Sequence, residues 1–208
     1  MNEPPPSPSF SRSLPPLACA GQRIGVMGGT FNPPHEGHAL VASTALRRLK
    51  LDQLWWMVTP GNPLKSGNGL PPLAERLAAS RRLVTDPRII VTGFEEGLGQ
   101  SYTYATLSYL AGRMPGVNFV WVMGADNLAS FHRWGRWREI AELVPIAVVD
   151  RPGWRFKALA SPAAVRLMPF RVPETRAGSL VTMRPPAWVF LSTRLSTASS
   201  SALRGAAQ

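Results

Sequence analysis

The sequence predicts an α/β fold, a doubly wound parallel sheet with helices on both faces. Three observations carry that expectation. Short apolar runs alternate with stretches of helical spacing, the pattern of repeated strand–helix–strand units. One run, Val117 to Met123, is almost continuously apolar, as a central parallel strand covered on both sides requires. The first run, Ile24 to Met27, ends in Gly28-Gly29 and passes through Pro33-Pro34 into helical spacing at Leu40, Val41, Thr44, Ala45 and Leu49. A glycine loop between strand and helix leaves backbone N–H groups uncovered, and such a loop can receive an anion.

Composition bounds the reading. A chain of 208 residues suits one domain, and 45% hydrophobic residues is ordinary globular composition. No apolar run approaches the roughly 18 residues that cross a bilayer, so a soluble protein with no membrane partner is expected. With 23 basic against 12 acidic residues, the net charge of +11 suits nucleotides, pyrophosphate or nucleic acid without choosing among them. The single cysteine, Cys19, excludes an internal disulfide and a cysteine-based zinc site, which fits a reducing, cytoplasmic setting. Residues 1–20 are rich in Pro and Ser and read as a disordered tail, leaving residues 21–208 as one domain. Pro16-Leu17-Ala18-Cys19 resembles a lipoprotein cleavage site in those four letters alone, with no basic region and apolar run before it.

The helix that opens near Gly37 places His35 and His38 at its N-terminus, where orphan N–H groups and the helix dipole favour phosphate. Gly28 through His38 resembles, residue for residue, the GGTFNPPHxGH signature of bacterial nicotinate-nucleotide adenylyltransferases, with Glu36 at the free position. His35-Glu36-Gly37-His38 is also similar to the HxGH signature of the wider nucleotidyltransferase superfamily, in which both histidines contact the phosphates of ATP. The resemblance implies ATP contacts at Gly28, Gly29, Thr30, Phe31, His35 and His38, and a mononucleotide contact at Asn32.

The remaining elements follow in order. Gln53 to Val58 reads as a second strand, ended by Thr59-Pro60-Gly61-Asn62-Pro63. Lys65, in Asn62-Pro63-Leu64-Lys65, resembles the family's PxHK element, with Leu64 where a histidine is common; it is either a mononucleotide contact or a solvated lysine. Leu73 to Val84 has helical spacing with Arg76, Arg81 and Arg82 expected outward, and Arg88 to Val91 reads as a third strand. Ser101-Tyr102-Thr103 with Thr106-Leu107 resembles the family's SYTxxTL element, which implies mononucleotide contacts at Tyr102 and Thr103. Ser101 or Thr103 also reads as the cap of a helix through Leu110.

Val117 to Met123 ends in Gly124-Ala125-Asp126, and ligands of open α/β sheets collect beyond such strand ends, across from His35 and His38. Gly124 through Trp134 resembles the family's GADxLxxFxxW element. It implies ATP contacts at Gly124 and Asp126, Asp126 holding a ribose hydroxyl or ordering a magnesium shell, and a stacking face for a pyridine ring at Trp134. Asp126 also reads as a helix N-cap, and Trp134 with Trp137 as a core aromatic pair. Ile146 to Val149 is a fifth strand, followed by Asp150-Arg151-Pro152-Gly153, similar to the family's turn at that place. A helix is expected near Ala158 to Leu167; residues 168–186 give mixed signals with their basic residues on the surface. Trp188 to Leu191 reads as the last strand. Ser199 to Arg204 resembles the family's SSTxIR motif, with Ser201 for threonine and Leu203 for isoleucine. It implies that Ser200, Ser201 and Arg204 complete a triphosphate site on a Rossmann-like sheet.

The resemblance implies adenylyl transfer from ATP to nicotinate mononucleotide with release of pyrophosphate. Catalytic roles fall on His35, His38 and Arg204, and Mg²⁺ arrives with ATP without a dedicated protein metal site. A sibling adenylyltransferase acting on nicotinamide mononucleotide or phosphopantetheine is the enzyme alternative. A basic nucleic-acid-binding module is the alternative from another class, although the motifs gather at strand ends and no nucleic-acid partner is expected. Neither GxxxxGK[ST] nor G-x-G-x-x-G is present. Self-association is left open by the sequence.

Overall fold

The computed structural model describes residues 14–61, 70–98 and 102–193. Among the described residues seven strands form one sheet, in the spatial order Ile89–Thr92, Gln53–Val58, Arg23–Gly29, Asn118–Gly124, Ile146–Val149, Trp188–Leu191 and Arg171–Val172, and every neighbouring pair is parallel. β1 (Arg23–Gly29) leads through α1 (Glu36–Arg48) to β2 (Gln53–Val58), and α2 (Leu73–Leu83) leads to β3 (Ile89–Thr92). The chain then crosses back under the sheet through α3 (Thr103–Arg113) to β4 (Asn118–Gly124), beside β1. Two helices, α4 (Ala125–Ser130) and α5 (Trp137–Leu143), precede β5 (Ile146–Val149). Two more, α6 (Arg155–Leu159) and α7 (Pro162–Arg166), precede the edge strand β6 (Arg171–Val172). A 3₁₀ helix, Glu174–Thr182, then leads to β7 (Trp188–Leu191). This is the doubly wound, Rossmann-like architecture that the alternating pattern predicts.

The strands are apolar because both faces are covered, and their side chains divide by the two-residue period. Ile24, Val26, Trp55, Met57, Trp121, Met123 and Val148 pack toward α3, α4 and α5. Met27, Leu54, Trp56, Val58, Val122 and Val149 pack toward α1 and the 3₁₀ helix Glu174–Thr182. The winding reverses between β1 and β4, and there the sheet opens. β1 stays paired with β2 to the end, through Gly29 and Val58, whereas its register with β4 stops at Val26 and Trp121. The crevice that follows is where an open α/β sheet takes its ligand.

Several expectations are corrected. Gly28 and Gly29 are the last residues of β1, not a loop beyond it. The helix expected over Ala158 to Leu167 is two short ones, because Pro162 has no N–H to continue a helix and Ser161 restarts one by accepting from the Ala164 N–H. β6 has two residues, too few to register as a period. Thr103 is the first residue of α3 and not its cap; Tyr102 holds that position without a side-chain bond, and Ser101 lies outside the described residues. Asp126 is likewise inside the first turn of α4, whose N-cap is Gly124. Trp137 lies in the core and Trp134 packs against it, as the core-aromatic reading expects, each edge-on to Phe131. Arg76, expected outward, is buried. Arg171, Arg176 and Arg184 are exposed as expected. Among the described residues, no helix is long and apolar enough to cross a membrane.

Candidate active site

The spacing of the two histidines has a backbone reason. His35 is the N-cap of α1 and His38 its third residue, and they close a reciprocal capping box. His35 Nδ1 accepts from the Gly37 N–H at 3.1 Å, and His38 Nδ1 accepts from the His35 N–H at 3.3 Å. A neutral imidazole whose Nδ1 accepts carries its proton on Nε2, so the capping bonds select the donor nitrogen of each ring. The rings lie 3.8 Å apart between centroids at 33°. Phe31 braces His38: its ring is buried against Trp56 at 4.6 Å and His38 at 4.9 Å. Its φ of 45° is a left-handed conformation that a bulky residue adopts only when its surroundings impose it. The Phe31 ring is thus a support for His38, and Thr30 and Asn32 flank it on the same turn.

The facing wall is the end of β4. A Cβ on Gly124 would lie 2.8 Å from Arg151 Cδ and would collide with the Asp126 carboxylate, so any side chain here would displace Asp126 and Arg151. Asp126 Oδ1 stands 3.7 Å from Arg151 Nε, and this buried oxygen has no hydrogen-bond partner among the described residues. Arg151 is held by its neighbour: buried Asp150 accepts from the Arg151 N–H at 2.9 Å and from Arg155 Nε at 2.8 Å. Both walls meet electrostatically at His35. Burial pushes the His35 pKa down to about 4; the Arg151 charge adds to this and the Asp126 carboxylate opposes it. His35 is therefore neutral at pH 7 and meets an anion as a hydrogen-bond donor.

A second lobe adjoins the first through Trp121. A Cβ on Gly28 would come within 2.8 Å of Trp121 Cη2, and Trp121 packs edge-on against Trp134 at 6.3 Å. Trp134 is half-buried and anchored by Phe131 as well, leaving part of its surface open. Tyr102 is exposed and borders the same loop, since a Cβ on Gly135 would lie 3.9 Å from Tyr102 Cδ1. Thr103 follows at the start of α3. That start is braced from beneath, where the Thr106 hydroxyl donates to buried Glu95, whose carboxyl is pushed up by desolvation. The structure thus gathers Gly28, Gly29, His35, His38, Gly124 and Asp126 around one crevice, with Tyr102 and Trp134 beside each other next to it. Lys65, Ser200, Ser201 and Arg204 lie outside the described residues.

Three residues at these walls escaped the sequence reading. Arg151 and Asp150 belong to a recognised turn but carry no pattern that assigns them a charge role. Arg76 did carry a signal: it falls between Leu73 and Ser80 on the i, i+3, i+7 stripe that α2 turns inward.

The sequence pattern of the cytidylyltransferase-like family matches residues 26–206. A protein named "Probable nicotinate-nucleotide adenylyltransferase" from Rhizobium meliloti (strain 1021) is 59% identical over 183 residues, 88% of this chain and 97% of that one. Its namesake from Agrobacterium fabrum is also 59% identical, over 87% of this chain and 97% of that one. Among solved structures, the Plasmodium falciparum nicotinic acid mononucleotide adenylyltransferase complexed with NaAD superposes with a TM-score of 0.67, covering 88% of this chain and 83% of that one. At 16% sequence identity that likeness speaks for the fold.

Proposed function

The chain belongs to the nicotinate-nucleotide adenylyltransferases of the cytidylyltransferase-like family, and from that premise we propose that it transfers the adenylyl group of ATP to nicotinate mononucleotide. The products are the deamido dinucleotide and pyrophosphate. The observation that carries the reading is the pair of adjacent imidazoles whose capping bonds leave Nε2 as donor at the N-terminus of α1.

The chemistry asks little covalent work of the protein. A 5′-phosphate oxygen of the mononucleotide attacks the α-phosphorus in line, and the bond to the β-phosphate bridging oxygen breaks with its electron pair leaving on pyrophosphate. No side chain has to act as nucleophile, so the site works by positioning and by stabilising charge. His35 and His38 donate to phosphate oxygens, supported by the α1 dipole. Gly28 and Gly29 leave room for the Trp121 and Phe31 rings and turn their backbone to the ATP, and Thr30, Gly124 and Asp126 border the adenosine. Trp134 stacks the pyridine, with Asn32, Lys65, Tyr102 and Thr103 around the acceptor. Ser200, Ser201 and Arg204 hold the leaving pyrophosphate, and chain length permits it. The Thr193 hydroxyl lies 3.3 Å from that of Thr44 on α1. Seven residues reach up to ~25 Å, while Thr44 stands ~14 Å along α1 from His35. Asp126 would hold a hydrated Mg²⁺ arriving with ATP, because its buried Oδ1 lacks a hydrogen-bond partner among the described residues and hydrated Mg²⁺ needs few carboxylates. When bound it supplies charge neutralisation of the triphosphate. A cytoplasmic setting accords with this chemistry.

Nicotinamide mononucleotide is the competing acceptor. Pyrophosphate release from ATP with each mononucleotide in turn tests the reading, with a preference for the acid of about 10²-fold or more expected. Equal use of both, or preference for the amide, overturns the acceptor; no pyrophosphate with either overturns the reaction.

A further inference from the structure

Arg76 is the most deeply buried arginine described, at 3% exposure, and all three of its guanidinium nitrogens are engaged with backbone carbonyls. Nη1 donates to Thr30 O at 2.9 Å and to Thr59 O at 2.7 Å. Nη2 donates to Pro60 O at 3.0 Å, and Nε to Pro71 O at 2.9 Å. Among the described residues no carboxylate forms an ion pair with it.

From these contacts we infer that Arg76 is a positioning residue for adenylyl transfer, a clamp that sets the spacing between the loop bearing His35 and His38 and the loop that follows β2. The location of the four carbonyls carries the inference. The β1–β2 ladder makes its last bond from Thr59 N to Gly29 O, at 2.9 Å. The guanidinium grips both chains one residue later, at Thr30 and at Thr59-Pro60, where sheet hydrogen bonds no longer hold them. Thr30 enters the turn at Phe31, and five residues on the chain reaches His35. A displacement at Thr30 is therefore transmitted to both imidazoles. A leucine at this inward position would occupy the space but would leave the carbonyls unsatisfied. Lysine would keep the charge and lose the planar fork that serves four oxygens at once.

The inference rests on the proposed reaction, and its test separates the two. Wild-type turnover with ATP and nicotinate mononucleotide judges the reaction. Arg76→Lys and Arg76→Ala, assayed below their melting temperatures and shown folded by circular dichroism, judge the clamp. We expect kcat to fall by roughly 10²-fold in Arg76→Lys, since displacement of reacting groups by about 1 Å costs that much, while the KM for ATP changes by less than about threefold. Arg76→Ala falls further and regains activity with millimolar guanidinium but not with methylammonium. The ring resonances of His35 and His38 in NMR spectra also move in folded Arg76→Lys, whether or not the protein turns over. Unchanged ring resonances overturn the inference whatever the turnover. So does a kcat within about threefold of wild type in the folded variants, or a loss that guanidinium leaves untouched.

Discussion

Two helices begin at the crevice, and they begin differently. α1 runs thirteen residues, and its first turn is closed by imidazoles that accept the backbone N–H groups of His35 and Gly37. α4 runs six residues from Gly124, with no side-chain cap, and carries in its first turn a carboxylate whose buried Oδ1 is unsatisfied among the described residues. The first start offers donors and the positive end of a long dipole, and suits phosphate. The second offers an acceptor, and suits a hydroxyl or a hydrated cation. One strand-end crevice therefore presents opposite chemistry on its two walls, and a nucleoside triphosphate presents opposite chemistry at its two ends.

The comparison can be broken on the donor side with the largest effect. His38→Ala should lower kcat by roughly 10²- to 10³-fold in a protein that stays folded, because an oriented donor to a charged transition state is worth that much. Turnover measured beside circular dichroism checks it, and near-normal turnover would leave His38 with capping alone. On the acceptor side, Asp126→Asn keeps the volume and removes the charge, and should lower kcat/KM for ATP by about 10- to 10²-fold. An unchanged value would take Asp126 out of the nucleotide's reach. Trp134→Ala should raise the KM of the mononucleotide by about tenfold and that of ATP by less, since an aromatic contact is worth about 1 kcal/mol beyond its buried area. The opposite ranking would place the pyridine elsewhere.

A smaller effect sharpens the donor side. The His35 pKa is depressed to about 4, below the ordinary value near 6.5, so the unfolded chain binds this proton more readily than the folded one. The contribution to stability is present above pH 6.5 and is lost as pH falls from about 6.5 toward 4. Urea titrations of wild type and His35→Asn across that window should show wild type losing on the order of 2 kcal/mol more than the variant. Parallel pH profiles would mean that His35 is not held neutral by burial.

How far the sequence reveals this arrangement depends on whether a residue acts through a pattern or through a partner. Strands β1 to β5 and β7 are legible because burial on both faces writes itself as continuous apolar runs. His35, His38 and Gly124 are legible because their spacing to a helix start is local. The inward turn of Arg76 is not legible because arginine on a helix ordinarily faces water, and the four carbonyls that draw it inward come from segments up to 46 residues away. Arg151 depends in the same way on Asp126, distant in sequence and 3.7 Å away in space. The motif implies a nucleotide contact at Phe31, while the burial of its ring against His38 and Trp56 is a second role that no pattern in the sequence carries. Residues 168–186 give no period because two 3₁₀ segments, Met168–Phe170 and Glu174–Thr182, and a two-residue strand are held by tertiary contacts and not by local propensity.

The central claim is that two imidazoles, each with Nδ1 accepting in the helix cap, present Nε2–H to phosphate. Nitrogen-15 NMR of the histidine side chains at pH 7, with and without a non-hydrolysable ATP analogue, tests it most directly. The account predicts that His35 and His38 are both Nε2–H tautomers in the free protein and that their Nε2 resonances shift on adding the analogue. Nδ1–H tautomers, or Nε2 resonances that stay unmoved at saturating analogue, would contradict it.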